Sequence, residues 1–120
     1  MPVTVTGLTS NVTAVSAGRS HTCAVVDGGG LCWGRNDVGQ LGNNSTSQYP
    51  VTVPVQVAGL VSGVTSISTG FSHSCAAVNG AAQCWGANYN GNLGDNSTTP
   101  SSVPVPATGL SSGVTSVSAG

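Results

Sequence analysis

The sequence predicts an all-β fold, and three features of the 120-residue chain support that prediction. The segment GLTSNVTAVSAG at 7–18 recurs as GLVSGVTSISTG at 59–70 and as GLSSGVTSVSAG at 109–120. Gly, Pro, Asn and Ser interrupt every window that is long enough to show a helical period. The dipeptides Asp27-Gly28 and Asn79-Gly80 stand at matching places in the repeat, and both suit the two-residue turn of a β-hairpin.

Each repeat is predicted to contain four short strands. The first is β-branched and alternating and stops at Gly, as in VTAVSAG at 12–18. The second and third flank the hairpin dipeptide, where a type I′ turn needs positive φ at two positions. The fourth is a run rich in Pro and Val, VTVPVQV at 51–57 and SVPVPAT at 102–108. Four strands in each repeat of about 50 residues predict blades of the β-propeller type.

The repeat also divides the chain. We predict a leading outer strand at 1–8, a first blade at 9–58, a second blade at 59–108 and the opening strand of a third repeat at 109–120. Residues 2–18 and 104–120 are equivalent segments. Because stacked repeats need about three or more units to bury their faces, we expect two blades plus partial flanking strands within a larger propeller, or within one that copies of the chain complete together. Three chains would supply six blades, and four would supply eight.

The hairpin turns indicate how the four cysteines pair. Counting outward from each turn places Cys23 opposite Cys32 and Cys75 opposite Cys84, at non-hydrogen-bonded positions where Cα atoms approach to about 4.5 Å. That distance lies near the lower limit for a disulfide, so the register favours Cys23–Cys32 and Cys75–Cys84. Two disulfides would indicate an oxidising compartment, and hence an extracellular or cell-surface location. The first residues lack the basic start and apolar run of a signal peptide.

Zinc binding and free buried thiols are the alternatives for these cysteines. The candidate zinc ligands on the two hairpins are His21, Cys23 and Cys32, and His73, Cys75 and Cys84. No fourth ligand recurs, and the C-x2-C spacing is absent. The histidines are expected to be structural, with a ring nitrogen bonded to the backbone of a neighbouring strand. A Cys23–His21 dyad would occur once in each repeat, which favours structure over catalysis, so we predict no enzymatic activity and no cofactor.

The charge content excludes several classes of partner. Only five of the 120 residues carry a formal charge. Binding to nucleic acid, or to an anionic membrane surface, needs several basic side chains on one face. The longest apolar runs are a few residues, well short of the roughly 20 that a transmembrane helix requires. We therefore expect no nucleic-acid partner and no membrane insertion.

Two further segments, WGRNDVGQLG at 33–42 and WGANYNGNLG at 85–94, complete the repeat. With SHTCAVV at 20–26 and SHSCAAV at 72–78, they resemble the regulator of chromosome condensation repeat, a family of propeller blades. The matching residues are Trp33, Gly34, Asn36, Gly39, Leu41 and Gly42, and Trp85, Gly86, Asn88, Gly91, Leu93 and Gly94. The cysteine pairs resemble those of secreted microbial members. Within such a fold we expect both tryptophans to pack between blades and both motif asparagines to cap turns through their amides.

The charge-poor, Ser- and Thr-rich composition and the repeated unit favour a structural or protein-interaction scaffold, with further repeats, copies of the chain or a protein ligand as partners. A secreted binding or inhibitory propeller, similar to the β-lactamase inhibitors of the family, is the alternative, and Tyr49, Tyr89 and Phe71 are the aromatic side chains it would use. An exchange factor for a small GTPase is a remote alternative. The candidate interaction residues are Arg35, Asp37 and Tyr89, which lie where the two repeats differ most. Sequons at Asn44 and Asn96 are candidate glycosylation sites in a eukaryotic secretory host, or accidents of composition.

Overall fold

A computed structural model describes residues 11–110, 112–114 and 117. The strands are β1 (Val12–Ala17), β2 (His21–Val26), β3 (Gly29–Asn36), β4 (Ser47–Gln56), β5 (Val64–Thr69), β6 (His73–Val78), β7 (Ala81–Gly86) and β8 (Ser101–Pro106). They form two four-stranded antiparallel sheets in sequence order, β1 to β4 (blade 1) and β5 to β8 (blade 2). The all-β prediction of two four-stranded blades is confirmed. The strand predicted at 1–8 and much of the one predicted at 109–120 lie outside the described residues.

The central hairpin of each blade has the predicted turn. φ is positive at both turn residues, 52° and 78° at Asp27 and Gly28, and 50° and 82° at Asn79 and Gly80. Asp, Asn and Gly are the residues that reach this left-handed conformation most easily. The turns set the pairing between the flanking strands, and Val26 pairs with Gly29.

The same register brings the cysteines together. The structure contains the disulfides Cys23–Cys32 and Cys75–Cys84, with Cα separations of 4.1 and 4.0 Å. This is the pairing that the hairpin count favoured, and none of the four cysteines is a free thiol. The zinc alternative is therefore wrong for these side chains, because the thiolates that zinc would need are joined to each other. Over the described residues, no group of three His, Cys, Asp or Glu side chains is placed to hold a metal ion.

The two blades are stacked face to face. One core joins side chains of both repeats: Cys23, Val25, Cys32, Leu41 and Val57 from the first, and Leu60, Val64, Ile67, Ala76, Val78 and Trp85 from the second. A smaller cluster on the opposite face of blade 2 contains Cys75, Cys84 and Leu93. In the described part of the chain, no helix is long and apolar enough to span a membrane.

Candidate interaction site

Four residues link the blades through one chain of hydrogen bonds. Nε2 of His21, at the start of β2, lies 2.8 Å from Oγ of Ser74 in β6. Oγ of Ser74 donates to the carbonyl oxygen of Gln40 at 2.9 Å, and Nε1 of Trp85 donates to the same oxygen at 2.9 Å. A hydroxyl has one proton, so Ser74 accepts from His21, and the neutral imidazole carries its proton on Nε2. The hydrogen bond to Ser74 adds a side-chain partner from the next blade to the backbone partner that the sequence led us to expect.

Burial keeps His21 neutral. The residue is 2% exposed, and its Nδ1 is buried without a hydrogen-bond partner in the structure. Burial is the main cause that lowers the His21 pKa to about 4, and the positive charge of a protonated His73 would lower it further. Burial also lowers the pKa of His73, which is 5% exposed. Both imidazoles are therefore uncharged at neutral pH.

Trp85 fills a site on blade 1 that the Gly-x-Leu-Gly motif forms. Its side chain is fully buried, and Leu41 beneath it is also fully buried. A Cβ added to Gly42 would lie 2.7 Å from Cδ1 of the indole, so only glycine allows this approach. Gly42 also has a φ of 69°, which favours glycine independently. The motif thus carries both the acceptor and the surface for the tryptophan of the next blade.

The two outer faces of the blade pair carry the repeat equivalents of the residues that form this contact. Thr22, Leu31 and Trp33 are half-buried on the outer face of blade 1, which we call the leading face. The outer face of blade 2, the trailing face, holds a cavity of about 530 Å³. Among its lining residues are Cys75, Cys84, Asn92, Leu93, Gly94, Ala107 and Leu110. The prediction that tryptophans pack between blades is confirmed for Trp85, whereas no described blade covers Trp33.

The two motif asparagines organise the loops that follow β3 and β7. Oδ1 of Asn36 accepts from the backbone N–H of Leu41 at 3.1 Å, and Oδ1 of Asn88 accepts from that of Leu93 at 2.9 Å. Their Nδ2 groups donate across the same loops. Nδ2 of Asn36, for example, donates to the carbonyl oxygen of Ser45 at 3.0 Å. Both side chains are buried, 1% and 0% exposed. The predicted turn-capping role is confirmed.

The candidate interaction residues lie at one end of the blades, where the β1–β2 and β5–β6 turns meet the loops after β3 and β7; we call this the loop end. Nη2 of Arg35 forms an ion pair with Oδ2 of Asp37 at 3.0 Å, and hydrogen bonding from Arg35 is the main cause that lowers the Asp37 pKa. Tyr89 is 67% exposed. Tyr89, Val38 and Phe71 line a cavity of about 300 Å³. Arg35 and Asp37 do not line this cavity.

One contact at the loop end was not predicted from the sequence. The guanidinium carbon of Arg19 lies 4.3 Å from the centre of the Phe71 ring, which makes a cation–π contact between the two blades. Arg19 and Phe71 occupy equivalent positions in the two repeats, and that equivalence was the available signal, since equivalent positions of adjacent blades are neighbours around a propeller axis. Tyr49 is 71% exposed on the edge strand β4 and does not line this cavity. The sequons at Asn44 and Asn96 are both exposed.

Sequence comparison relates this chain to a repeat family, and a plant receptor is among the proteins similar to it. The regulator of chromosome condensation (RCC1) repeat matches residues 27–77 and 79–120, and a second description of that repeat matches 12–40. Ultraviolet-B receptor UVR8 of Arabidopsis thaliana is 35% identical over 87 residues, which are 69% of this chain and 19% of the receptor. The chain therefore spans about a fifth of that relative.

Solved structures share the blade architecture. Human WBSCR16 superposes with a TM-score of 0.69 at 22% identity, over 79% of this chain and 25% of its own. Yeast RCC1 (Prp20) bound to Kap60 gives 0.71 at 23% identity, over 89% and 26% of the chains. Prp20p of Saccharomyces cerevisiae, described with its binding properties to Gsp1p and histones, gives 0.70 at 22% identity, over 89% and 26%. At these identities the likeness establishes the fold.

Proposed function

This chain belongs to the regulator of chromosome condensation repeat family, and from that premise we propose that it is a non-enzymatic scaffold module that works through protein contacts. Propeller repeats of this kind act, in general terms, as protein-interaction modules. The observation that carries the finer proposal is the blade-to-blade contact, in which Trp85 and Ser74 of one repeat both bind the Gln40 carbonyl of the other. A contact built from repeated residues can be added again at either outer face. Further repeats or further copies of the chain then complete the ring.

The side chains with reactive groups support a non-enzymatic role. Cys23 and its three counterparts are joined in disulfides. His21 and His73 are buried at or beside blade faces, and burial holds them neutral. General acid–base catalysis needs a titrating group within hydrogen-bond reach of a bound substrate, and a buried imidazole engaged by Ser74 is not available for that task. The disulfides are compatible with an oxidising environment, and we propose an extracellular or cell-surface location.

Lengthening the chain in repeat register tests the scaffold proposal. Gly120 matches Gly18 in the repeat, so a copy of residues 19–120 added after Gly120 continues the same pattern. We expect the free energy of unfolding to rise by about 2 kcal/mol or more for each additional interface between blades, because each interface buries another tryptophan. Chemical unfolding followed by circular dichroism measures this. An extended chain that is no more stable than the 120-residue chain would contradict the proposal.

A second candidate function is ligand binding at the loop end, the alternative of a secreted inhibitory propeller. The specific observation that favours it is the cavity between Phe71 and Tyr89, two exposed aromatic side chains at positions where the other repeat has Arg19 and Asp37. Aromatic side chains are common anchors of protein interfaces. Inhibition of a β-lactamase by the wild-type chain, and its loss in a Phe71→Ser, Tyr89→Ser double variant, would support this candidate. Tyr49→Ser, which alters an exposed tyrosine away from the cavity, is the matched control.

The remote alternative of an exchange factor draws on a likeness of fold alone, since the described binding of Prp20p to Gsp1p comes from a protein 22% identical to this chain. Nucleotide release from a small GTPase, measured with and without the chain, addresses it. No acceleration is expected, because the chain spans about a quarter of Prp20p.

A further inference from the structure

The cavity on the trailing face of blade 2 corresponds to the place where Trp85 lies on blade 1. Its lining residues Cys75, Cys84, Leu93, Gly94, Ala107 and Leu110 are the repeat equivalents of Cys23, Cys32, Leu41, Gly42, Val57 and Leu60. A Cβ on Gly42 would collide with the Trp85 indole at 2.7 Å, whereas one on Gly94 would meet only Ala107 Cβ, at 3.7 Å. The two surfaces are thus equivalent in sequence, and they differ in whether an indole covers them.

The chain has two tryptophans, and the second lies at the opposite face. Trp33 is half-buried on the leading face. Trp85, by contrast, is fully buried between the two blades. Over the described residues, no hydrogen bond joins Trp33 Nε1 to an acceptor. Thr22, the repeat equivalent of Ser74, lies opposite Trp33 in the β2–β3 pairing, as Ser74 lies opposite Trp85. The leading face therefore presents the tryptophan and the hydroxyl that the trailing face is shaped to receive.

We propose that the trailing-face cavity binds Trp33 of a second copy of this chain, so that copies associate head to tail. This inference rests on the proposed function, in which blades stack through one repeated contact. In the associated pair, Trp33 Nε1 donates to the carbonyl oxygen of Asn92, as Trp85 donates to that of Gln40. The hydroxyl of Thr22 accepts from His73 and donates to the same oxygen, as Ser74 does between His21 and Gln40. A head-to-tail contact closes into a ring or continues as an open array.

One strand must change place for this contact to form. Val114 N–H donates to Gly80 O at 2.9 Å on blade 2, as Val64 N–H donates to Gly28 O at 2.9 Å on blade 1. Val114 thus lies on blade 2 where Val64, the first residue of β5, lies on blade 1, and its repeat equivalent in an incoming copy is Val12, the first residue of β1. β1 buries less than β5 does at this point, since Val15 is 60% exposed whereas the matching Ile67 is 6% exposed, and five residues of β1 pair with β2. We infer that β1 of the incoming copy leaves β2, which makes association slow.

Paired variants test both the contact and its polarity. Trp33→Ala removes the indole and leaves the cavity, and Ala107→Trp fills the cavity and leaves Trp33. We expect the wild-type chain to form species heavier than its 11.6 kDa mass in multi-angle light scattering after long equilibration. Each variant alone is expected to be monomeric, with association weakened by about 30-fold or more, which is the loss of a central tryptophan anchor. Equal amounts of the two variants are expected to give a heterodimer and nothing larger, because one usable contact remains.

Controls and a second readout keep the test decisive. Tyr49→Ser, which alters an exposed aromatic side chain on the edge strand β4, is expected to associate as the wild type does. Leu110→Asp replaces Ala107→Trp if the latter fails to fold, because it places a charge at the rim of the same cavity. Tryptophan emission is expected to shift to the blue with concentration in the wild type but not in Trp33→Phe, which retains only the already buried Trp85.

Three results would overturn the proposal: a wild-type chain that stays monomeric, a Trp33→Ala chain that associates normally, or variants that do not combine. If the lengthened chain nevertheless gains stability, the scaffold function stands and the next repeat, rather than a second copy, supplies the tryptophan.

Discussion

His21 and Ser74 are separated by 53 residues in the sequence, and their side chains meet across the blade interface with Nε2 and Oγ 2.8 Å apart. The Ser74 hydroxyl is the central member of the link, since it accepts from the imidazole and donates to the Gln40 carbonyl, which also accepts from Trp85. A buried chain of this kind stabilises the interface only when each member is satisfied. Ser74 is thus one of the links between the blades, beside the hydrogen bond of Ser16 to Thr69 and the shared hydrophobic core.

Replacement of Ser74 by Ala is expected to lower the free energy of unfolding by about 1–3 kcal/mol, because the buried Nε2–H of His21 loses its acceptor. Thr22 is the equivalent residue on the leading face and provides the matched control. Thr22→Ala in dilute, monomeric protein is expected to change stability by less than about 0.5 kcal/mol. Urea unfolding followed by tryptophan fluorescence measures both. Equal losses of stability in Ser74→Ala and Thr22→Ala would show that the hydrogen bonds of Ser74 do not specifically stabilise the blade interface.

Stability is expected to fall as the pH falls through the range set by His21. Its pKa is lowered from 6.5 to about 4, so the folded chain favours the neutral imidazole and the unfolded chain takes up the proton first. The stabilisation is complete above about pH 6.5 and is lost on the way to pH 4, at a cost on the order of 3 kcal/mol. His73, whose pKa is lowered in the same direction by burial, adds to the loss.

His21→Gln is the variant that assigns this pH dependence. It is expected to lower stability at neutral pH and to flatten the profile between about pH 6.5 and 4. Asp37 and Asp95 act outside this pH range. Their pKa values are lowered from 3.8, so the stability that they contribute is lost only as the pH falls below about 4. A profile in His21→Gln as steep as that of the wild type would contradict the assignment.

Asn88 is expected to tolerate no charge. Its Nδ2 donates to Oδ1 of Asp95 at 3.1 Å and to the carbonyl oxygens of Ser97 and Thr99 at 3.1 and 3.0 Å. Asn88→Asp removes these donors and buries a carboxylate facing Asp95, which is expected to cost about 3 kcal/mol or more at neutral pH. Asn96→Asp introduces the same charge at an exposed position of the same loop and is expected to be nearly neutral. Thermal unfolding of the two variants should differ accordingly, and a similar midpoint in both would count against the role given to the buried amide.

Local sequence chemistry was enough to predict the hairpins and the disulfides. Asp27-Gly28 and Asn79-Gly80 each specify one turn, and a two-residue turn leaves one possible register for the strands beside it. Cys23 therefore meets Cys32 regardless of the rest of the fold. The turn-capping role of Asn36 was equally local, because its amide bonds groups five and nine residues away.

Contacts between blades were not predictable in the same way. The partner of His21 depends on how far one sheet is shifted along the next, which no local pattern records. A signal was present, since a hydroxyl residue follows the histidine in both repeats, Thr22 and Ser74. The different environments of Trp33 and Trp85 also lay beyond the sequence, because identical motifs give no information on which blade has a neighbour.

The two disulfides are expected to differ in their rates of reduction, although both close loops of the same length, with a sequence separation of 9. Cys23 and Cys32 are fully buried in the core that contains Trp85, whereas Cys75 and Cys84 are 7% and 6% exposed and line the trailing-face cavity. Thiol–disulfide exchange requires access to a sulfur atom, so a reductant is expected to cleave Cys75–Cys84 first in the native monomer. Alkylation followed by peptide mass analysis identifies the open pair.

In denaturant the two rates should become equal, because the packing that protects Cys23–Cys32 is gone. Association adds a second expectation, since an indole in the trailing-face cavity would cover Cys75–Cys84. Concentrated wild-type protein is therefore expected to protect this disulfide, and Trp33→Ala at the same concentration is expected to leave it open to reduction. Preferential cleavage of Cys23–Cys32 in the native chain would contradict the burial argument, whereas equal protection in wild type and Trp33→Ala would contradict only the head-to-tail contact.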